Sequence, residues 1–163
     1  MKFSVHPIFK SAALFSLGMI FFVGCAHIAK ERSSDVQWQE FSEEKIEVAL
    51  AENKTVLVFV TAEWCSACNW MKSTTFADEK IVDALNENFV TFALNVDHAP
   101  KSAARFMKNG ILSTYILQKD GKIAQAIVAY RDADDYGAFL HRALHEPSPN
   151  AAAHAAKLLR EGP

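Results

Sequence analysis

The sequence is sparing with the residues that would point to several common functions. Its 163 residues hold only three cysteines, Cys25, Cys65 and Cys68, which limits thiol chemistry to one pair and one remaining sulfur. Its 17 lysines and arginines are scattered and stand against 19 acids, for a formal net charge of -2. No basic stripe suited to nucleic acid emerges from that balance. The six histidines (His6, His27, His98, His141, His145 and His154) show no ligand spacing beside the cysteines, so no four-ligand zinc site is expected within the chain. His141 and His145 are four apart and can share a helix face, for which simple exposure is a sufficient reason. Asn69 follows Cys68 where haem attachment needs a histidine. No internal repeat is visible.

Long hydrophobic runs are also missing. Ser11 to Gly24 is almost wholly apolar but too short for a comfortable membrane span. Lys2 and Lys10 flank or precede it, and no acid appears before Glu31. This charged-then-apolar order reads as a secretory signal. Over the whole chain, half the residues are hydrophobic and 22% charged, which fits one globular domain with a proper core.

The most informative feature is the pair Cys65 and Cys68. The apolar run Val56 to Val60 reads as a central strand buried on both faces, and it leads through Thr61-Ala62-Glu63-Trp64 into Cys65-Ser66-Ala67-Cys68, where a helical pattern begins. Two thiols at that spacing can close a small disulfide ring. A helix start aims unpaired backbone N–H groups and the positive dipole end at the first thiol, favouring the thiolate that attacks disulfides. The reaction implied is dithiol–disulfide exchange.

Around that feature the pattern predicts an ordered series of elements. Val36 to Gln39 reads as a short strand, and Ser42 as the cap of a helix whose inner face carries Ile46, Ala49 and Leu50 and which stops near Asn53-Lys54. After the cysteines the helix loosens around Ser73 to Thr75, and Asp78 caps a further piece with Ile81, Val82 and Leu85 inside. A strand over Phe89 to Val96 follows, then a helix from Pro100 to Lys108. Leu112 to Leu117 and Lys122 to Val128 form a hairpin about Lys119-Asp120-Gly121, and Asp132 to His145 is a last amphipathic helix burying Tyr136, Phe139, Leu140 and Leu144. The class is α/β, a central mixed sheet flanked by helices.

Two resemblances follow from these residues. Phe22-Val23-Gly24-Cys25 resembles a bacterial lipoprotein processing site, which implies a signal peptide at residues 1–24, lipidation at Cys25, and a polar tether at residues 25–35. The mature chain then carries a net charge of about -4, because removal of Lys2 and Lys10 takes two positive charges from -2. From about Val36 to His145 the chain resembles the thioredoxin superfamily, and within it the C-terminal domain of the thiol reductase DsbD. The residues carrying this are the Val56–Val60 strand, Ala62-Glu63-Trp64-Cys65 with Cys68, Thr75-Phe76-Ala77-Asp78, Val96-Asp97 and the hairpin at Gly121. The domain so implied spans residues 36–146, with a C-terminal tail at residues 147–163.

The resemblance implies that Cys65 attacks and Cys68 resolves, that Trp64 shapes the contact surface beside the disulfide, and that Ser66 and Ala67 tune the pair. It also exposes three departures. Ser113 stands where thioredoxins usually have a cis-proline, Phe59 stands at the position of their buried carboxylate, and Lys72 replaces an acid common in the DsbD-type domain. Glu63 is the nearest acid that could take over the missing carboxylate's role, whereas Trp38 and Trp70 are expected in the core. No organic cofactor is implied, because the cysteines carry both electrons. The implied partners are client protein disulfides, a membrane thiol reductase as electron donor, and the membrane itself through the lipid. The competing function is a non-enzymatic thioredoxin-like module that holds a client, or a metal completed by a second chain, at the cell envelope.

Overall fold

Thr55–Thr61 (β2) is the centre of the molecule, and its composition explains why. Val56, Leu57, Val58, Phe59 and Val60 are each at most 1% exposed, so this stretch is covered on both faces. The computed structural model describes residues 35–146. Within them a five-stranded sheet has the order β1-β3-β2-β4-β5, where β1 is Gln39–Glu40, β3 Phe89–Asn95, β4 Ser113–Leu117 and β5 Ile123–Val128. β1, β3 and β2 run parallel, while β4 is antiparallel to both β2 and β5.

Alternation along β2 divides the core in two. Leu57 and Phe59 face a layer formed by Ser66–Ser73 (α2), Glu79–Asn88 (α3) and Ala133–His145 (α4), which contributes Cys68, Met71, Ile81, Leu85, Tyr136 and Phe139. Val56, Val58 and Val60 face Glu43–Ala51 (α1) and the 3-10 segment Lys101–Phe106, which contribute Ile46, Ala49, Ala103 and Phe106. The first layer contains a run of aromatic contacts from Trp38 through Phe59 and Phe76 to Tyr136 and Phe139, with centroids 5.0–5.8 Å apart. Capping follows the sequence: the Ser42 hydroxyl accepts from the Lys45 N–H, Asp78 from Lys80 and Ile81, and Asp132 from Asp135.

Three elements differ from expectation. The strand expected at Val36 to Gln39 reduces to Gln39–Glu40, because the Trp38 N–H turns back to the Val36 carbonyl and the Gln37 N–H bonds the Asn86 side chain. Pro100 to Lys108 is not an α-helix; Lys101–Phe106 forms a 3-10 run that buries only Ala103 and Phe106, three apart as that geometry aligns them. Leu144 is only half-buried, near the end of α4. No helix among the described residues is long and apolar enough to cross a membrane. The signal, Cys25, the tether and the tail expected from the sequence lie outside the described residues.

Candidate redox site

The cysteines are delivered by the most buried strand. β2 ends at Thr61, Ala62 is buried, and the Cys65 N–H returns to the Ala62 carbonyl at 3.3 Å. Cys65 then occupies the N-cap of α2, with its carbonyl accepting the first helical bond from Asn69. A cap usually offers an oxygen to the free amides of the first turn; here the offering atom is sulfur. The Cys68 N–H donates to Cys65 Sγ at 3.1 Å. Cys65 and Cys68 are joined in a disulfide. Cys65 is 6% exposed and Cys68 wholly buried, so the first sulfur is the more accessible and a reagent meets its edge.

Opening this bond places any charge on Cys65 at the head of a helix, against an amide already aimed at it, which favours the thiolate. Ser66 and Ala67 are exposed at the tip between the cysteines. Lys72 is exposed in the last turn of α2, where a cation suits the carbonyl end of the dipole.

The approach to the pair is held by residues from another strand. Asp97, just past β3, accepts the Trp64 indole N–H at 2.9 Å and the Glu63 backbone N–H at 3.4 Å. Its own N–H donates to the Asn95 side chain, and Asn69 donates to the Glu63 carbonyl. Trp64 is thus fixed while 68% exposed, in keeping with a contact surface. Trp70, expected in the core, is instead 60% exposed, because it falls on the outer side of α2 between the buried Cys68 and Met71. Trp38 does pack inward, against Phe59 and Phe76.

The three departures have structural consequences. Phe59 fills its position with an aromatic contact to Phe76, and no aspartate or glutamate is buried among the described residues. Glu63 is exposed, which is not the setting of a buried acid. Ser113 is wholly buried, its hydroxyl donating to the Gly110 and Asn109 carbonyls. Before it, Leu112 adopts φ +59°, and both its backbone polar groups are used: its N–H bonds the Val60 carbonyl and its carbonyl accepts from Ala129. Ala129 is itself at φ +67°, so two non-glycine residues in the left-handed region meet beside the site.

A hollow of about 440 Å³ lined by Asn53, Lys54, Leu117 and Gln118, among others, lies at the start of β2, the end of the strand remote from the cysteines. A first sulfur at the edge of the surface, beside the exposed Ser66 and Ala67, is placed to meet a macromolecular disulfide. His141 and His145 do share a face of α4, with rings 4.4 Å apart, but no group of three or more metal-ligating side chains occurs among the described residues.

Asp97 joins the site through its bonds to Trp64 and Glu63, a role that its residue type alone does not announce. Its position at the end of the strand parallel to β2, where Thr61 aligns with Asn95, was the available signal.

A mixed sheet whose central strand feeds a cysteine-capped helix, with helices on both faces, is the thioredoxin-like fold. Comparison with solved structures agrees: the thioredoxin of Thermus thermophilus superimposes with a TM-score of 0.59 at 20% identity, covering 69% of this chain and 89% of that one. The family described as "Thioredox_DsbH: Protein of unknown function, DUF255" matches residues 23–121, and the chain belongs to it. It is also similar to the thioredoxin of Alicyclobacillus acidocaldarius, 31% identical over 94 residues, 56% of this chain and 84% of that protein. A shorter stretch is 46% identical over 44 residues, 27% of this chain, to the "Thiol:disulfide interchange protein DsbD" of Pseudoalteromonas atlantica. That match spans only 7% of the DsbD length. Family, fold and the Cys65–Cys68 pair together support thiol–disulfide exchange as the general chemistry of this site.

Proposed function

We propose that the protein is an exported thiol–disulfide oxidoreductase working in the reducing direction on client protein disulfides. The observation carrying this reading is the Cys68 N–H aimed at Cys65 Sγ at the cap of α2. In the reduced enzyme the Cys65 thiolate attacks one client sulfur, the client S–S bond breaks, and the departing client sulfur leaves as a thiolate that takes a proton from solvent. Cys68 then loses its proton and attacks the Cys65 sulfur. The mixed disulfide breaks, the client leaves with both sulfurs reduced, and Cys65–Cys68 is left oxidised. Two electrons move and no organic cofactor is required.

The reducing direction is favoured by Ser66-Ala67, which lacks the histidine found between the cysteines of strongly oxidising relatives. The signal-like N-terminus and Cys25 favour an extracytoplasmic, lipid-anchored site of action, and a membrane thiol reductase is the matching electron donor. A Cys68→Ser variant should trap clients as mixed disulfides on Cys65, and a Cys65→Ser variant should abolish exchange. A binding module would instead keep its client in the Cys65→Ser variant and trap nothing covalently in the other. A measured potential near that of a strong oxidant would reverse the direction. Mass analysis of the mature N-terminus tests the lipid: an unmodified Cys25 would exclude the anchor.

A further inference from the structure

Phe59 occupies the place where a buried acid would serve Cys68, so the resolving sulfur needs another polar neighbour. Thr61 is such a group. It lies two residues beyond Phe59, and strand alternation turns it to the same face of β2 as Leu57 and Phe59, the face covered by α2. It is 4% exposed, and its hydroxyl has no hydrogen-bond partner among the described residues. The hydrophobic cluster on that face includes Ala62, Cys65, Cys68 and Met71, with Leu112 packed against it, and its one phenol, Tyr136, already donates to Thr114. A buried hydroxyl without a partner destabilises whichever state leaves it so.

We propose that Thr61 is a positioning residue for Cys68, its hydroxyl hydrogen-bonding the Cys68 sulfur once the disulfide opens. A disulfide sulfur is a weak acceptor, and the hydrogen bond to this pair comes from the Cys68 N–H and goes to Cys65. Reduction adds two electrons and two protons, breaks the S–S bond and leaves Cys68 as a thiol or thiolate, wholly buried and in need of a donor. Thr61 then gains the partner it lacks in the oxidised state. Two effects follow from one bond: the reduced form is favoured, and the Cys68 thiolate forms at lower pH, speeding resolution of the mixed disulfide. The inference deepens the exchange reading and rests on it, yet its test does not need a client.

Thr61→Val replaces the hydroxyl by a methyl at nearly constant volume. The full chain is equilibrated against dithiothreitol, and in a second experiment the pH profile is recorded for Cys68 displacing a chromogenic aryl thiol from a mixed disulfide on Cys65. The expected result is a roughly tenfold shift of the equilibrium toward the oxidised form, ~30 mV for this two-electron couple. The resolution profile should move to higher pH, and Thr61→Ser should restore both. The oxidised variant should melt no lower than the parent, because an unpartnered hydroxyl has been removed. Unchanged potential and profile in Thr61→Val overturn the proposal, as does an equal loss of stability in both redox states. If valine disturbs folding, Thr61→Ala gives the same two readings. Failure of the parent protein to reduce any protein disulfide would sink the exchange reading and leave these measurements standing.

Discussion

Asp97→Ala removes a single carboxylate, yet it frees both a side chain and a stretch of backbone at the redox site. The bond to the Trp64 indole, at 2.9 Å, has full geometric weight. The bond to the Glu63 N–H, at 3.4 Å, lies beyond the usual range and counts for little. A hydrogen bond to a charged group contributes ~1.5–3 kcal/mol when shielded, but Trp64 is 68% exposed and solvent competes, so ~1 kcal/mol is the reasoned loss. In a domain of this size that lowers the melting temperature by ~4 °C. Trp64→Phe keeps an apolar ring and removes the donor. Calorimetry on the four proteins of the double-mutant cycle, all oxidised, should give a coupling of ~0.5–1 kcal/mol between the two positions. Indole fluorescence should shift in Asp97→Ala for the same reason. Strictly additive losses would show that the bond does not form in solution, and the account of a fixed Trp64 would fall.

Two further outcomes follow from the core. Phe59→Ala should cost ~3–5 kcal/mol in urea unfolding, since it opens a void among Trp38 and Phe76 under the sheet's central strand; a loss below ~1 kcal/mol would contradict that packing. Tyr136 is wholly buried with its hydroxyl donating to Thr114, and burial raises the phenol well above its ordinary value of 10.0. Folding therefore holds the proton, so this contribution is complete below pH 10.0 and is lost progressively as pH rises beyond it. Stability above pH 10.0 should fall more steeply in the parent than in Tyr136→Phe, measured by denaturant titration across that range; equal slopes would refute the assignment.

Most of the fold was readable because its elements carry strong local signals. The unbroken apolar run of β2, the caps Ser42, Asp78 and Asp132, and the Asp120-Gly121 turn each act through a few neighbouring residues. What escaped depends on distant partners. Val36 looks like a strand residue, but the Asn86 side chain and a tight turn at Trp38 claim the backbone that a ladder would need. Trp70 has the composition of a core residue, and only the facing of α2, set by Cys68 and Met71, sends it outward. At the site, the Cys65 cap was legible from the strand-to-helix junction alone. The grip of Asp97 on Trp64 was not, because it needs the parallel register that brings the ends of β2 and β3 together across 33 residues of sequence.

The same topology determines what the disulfide does for stability. Cys65 and Cys68 are three apart, and so short a ring removes little freedom from the unfolded chain, ~2 kcal/mol in the chain-entropy treatment. The fold rests instead on two apolar layers against β2, to which each cysteine adds one buried side chain without bridging separate elements. Reduction should therefore lower the melting temperature by ~10 °C while leaving a single cooperative transition. Calorimetry of the oxidised and dithiothreitol-reduced protein tests this directly. Loss of the cooperative transition on reduction would mean that the bond holds the domain together, and a protein that unfolds each time it hands over electrons could not cycle as an oxidoreductase.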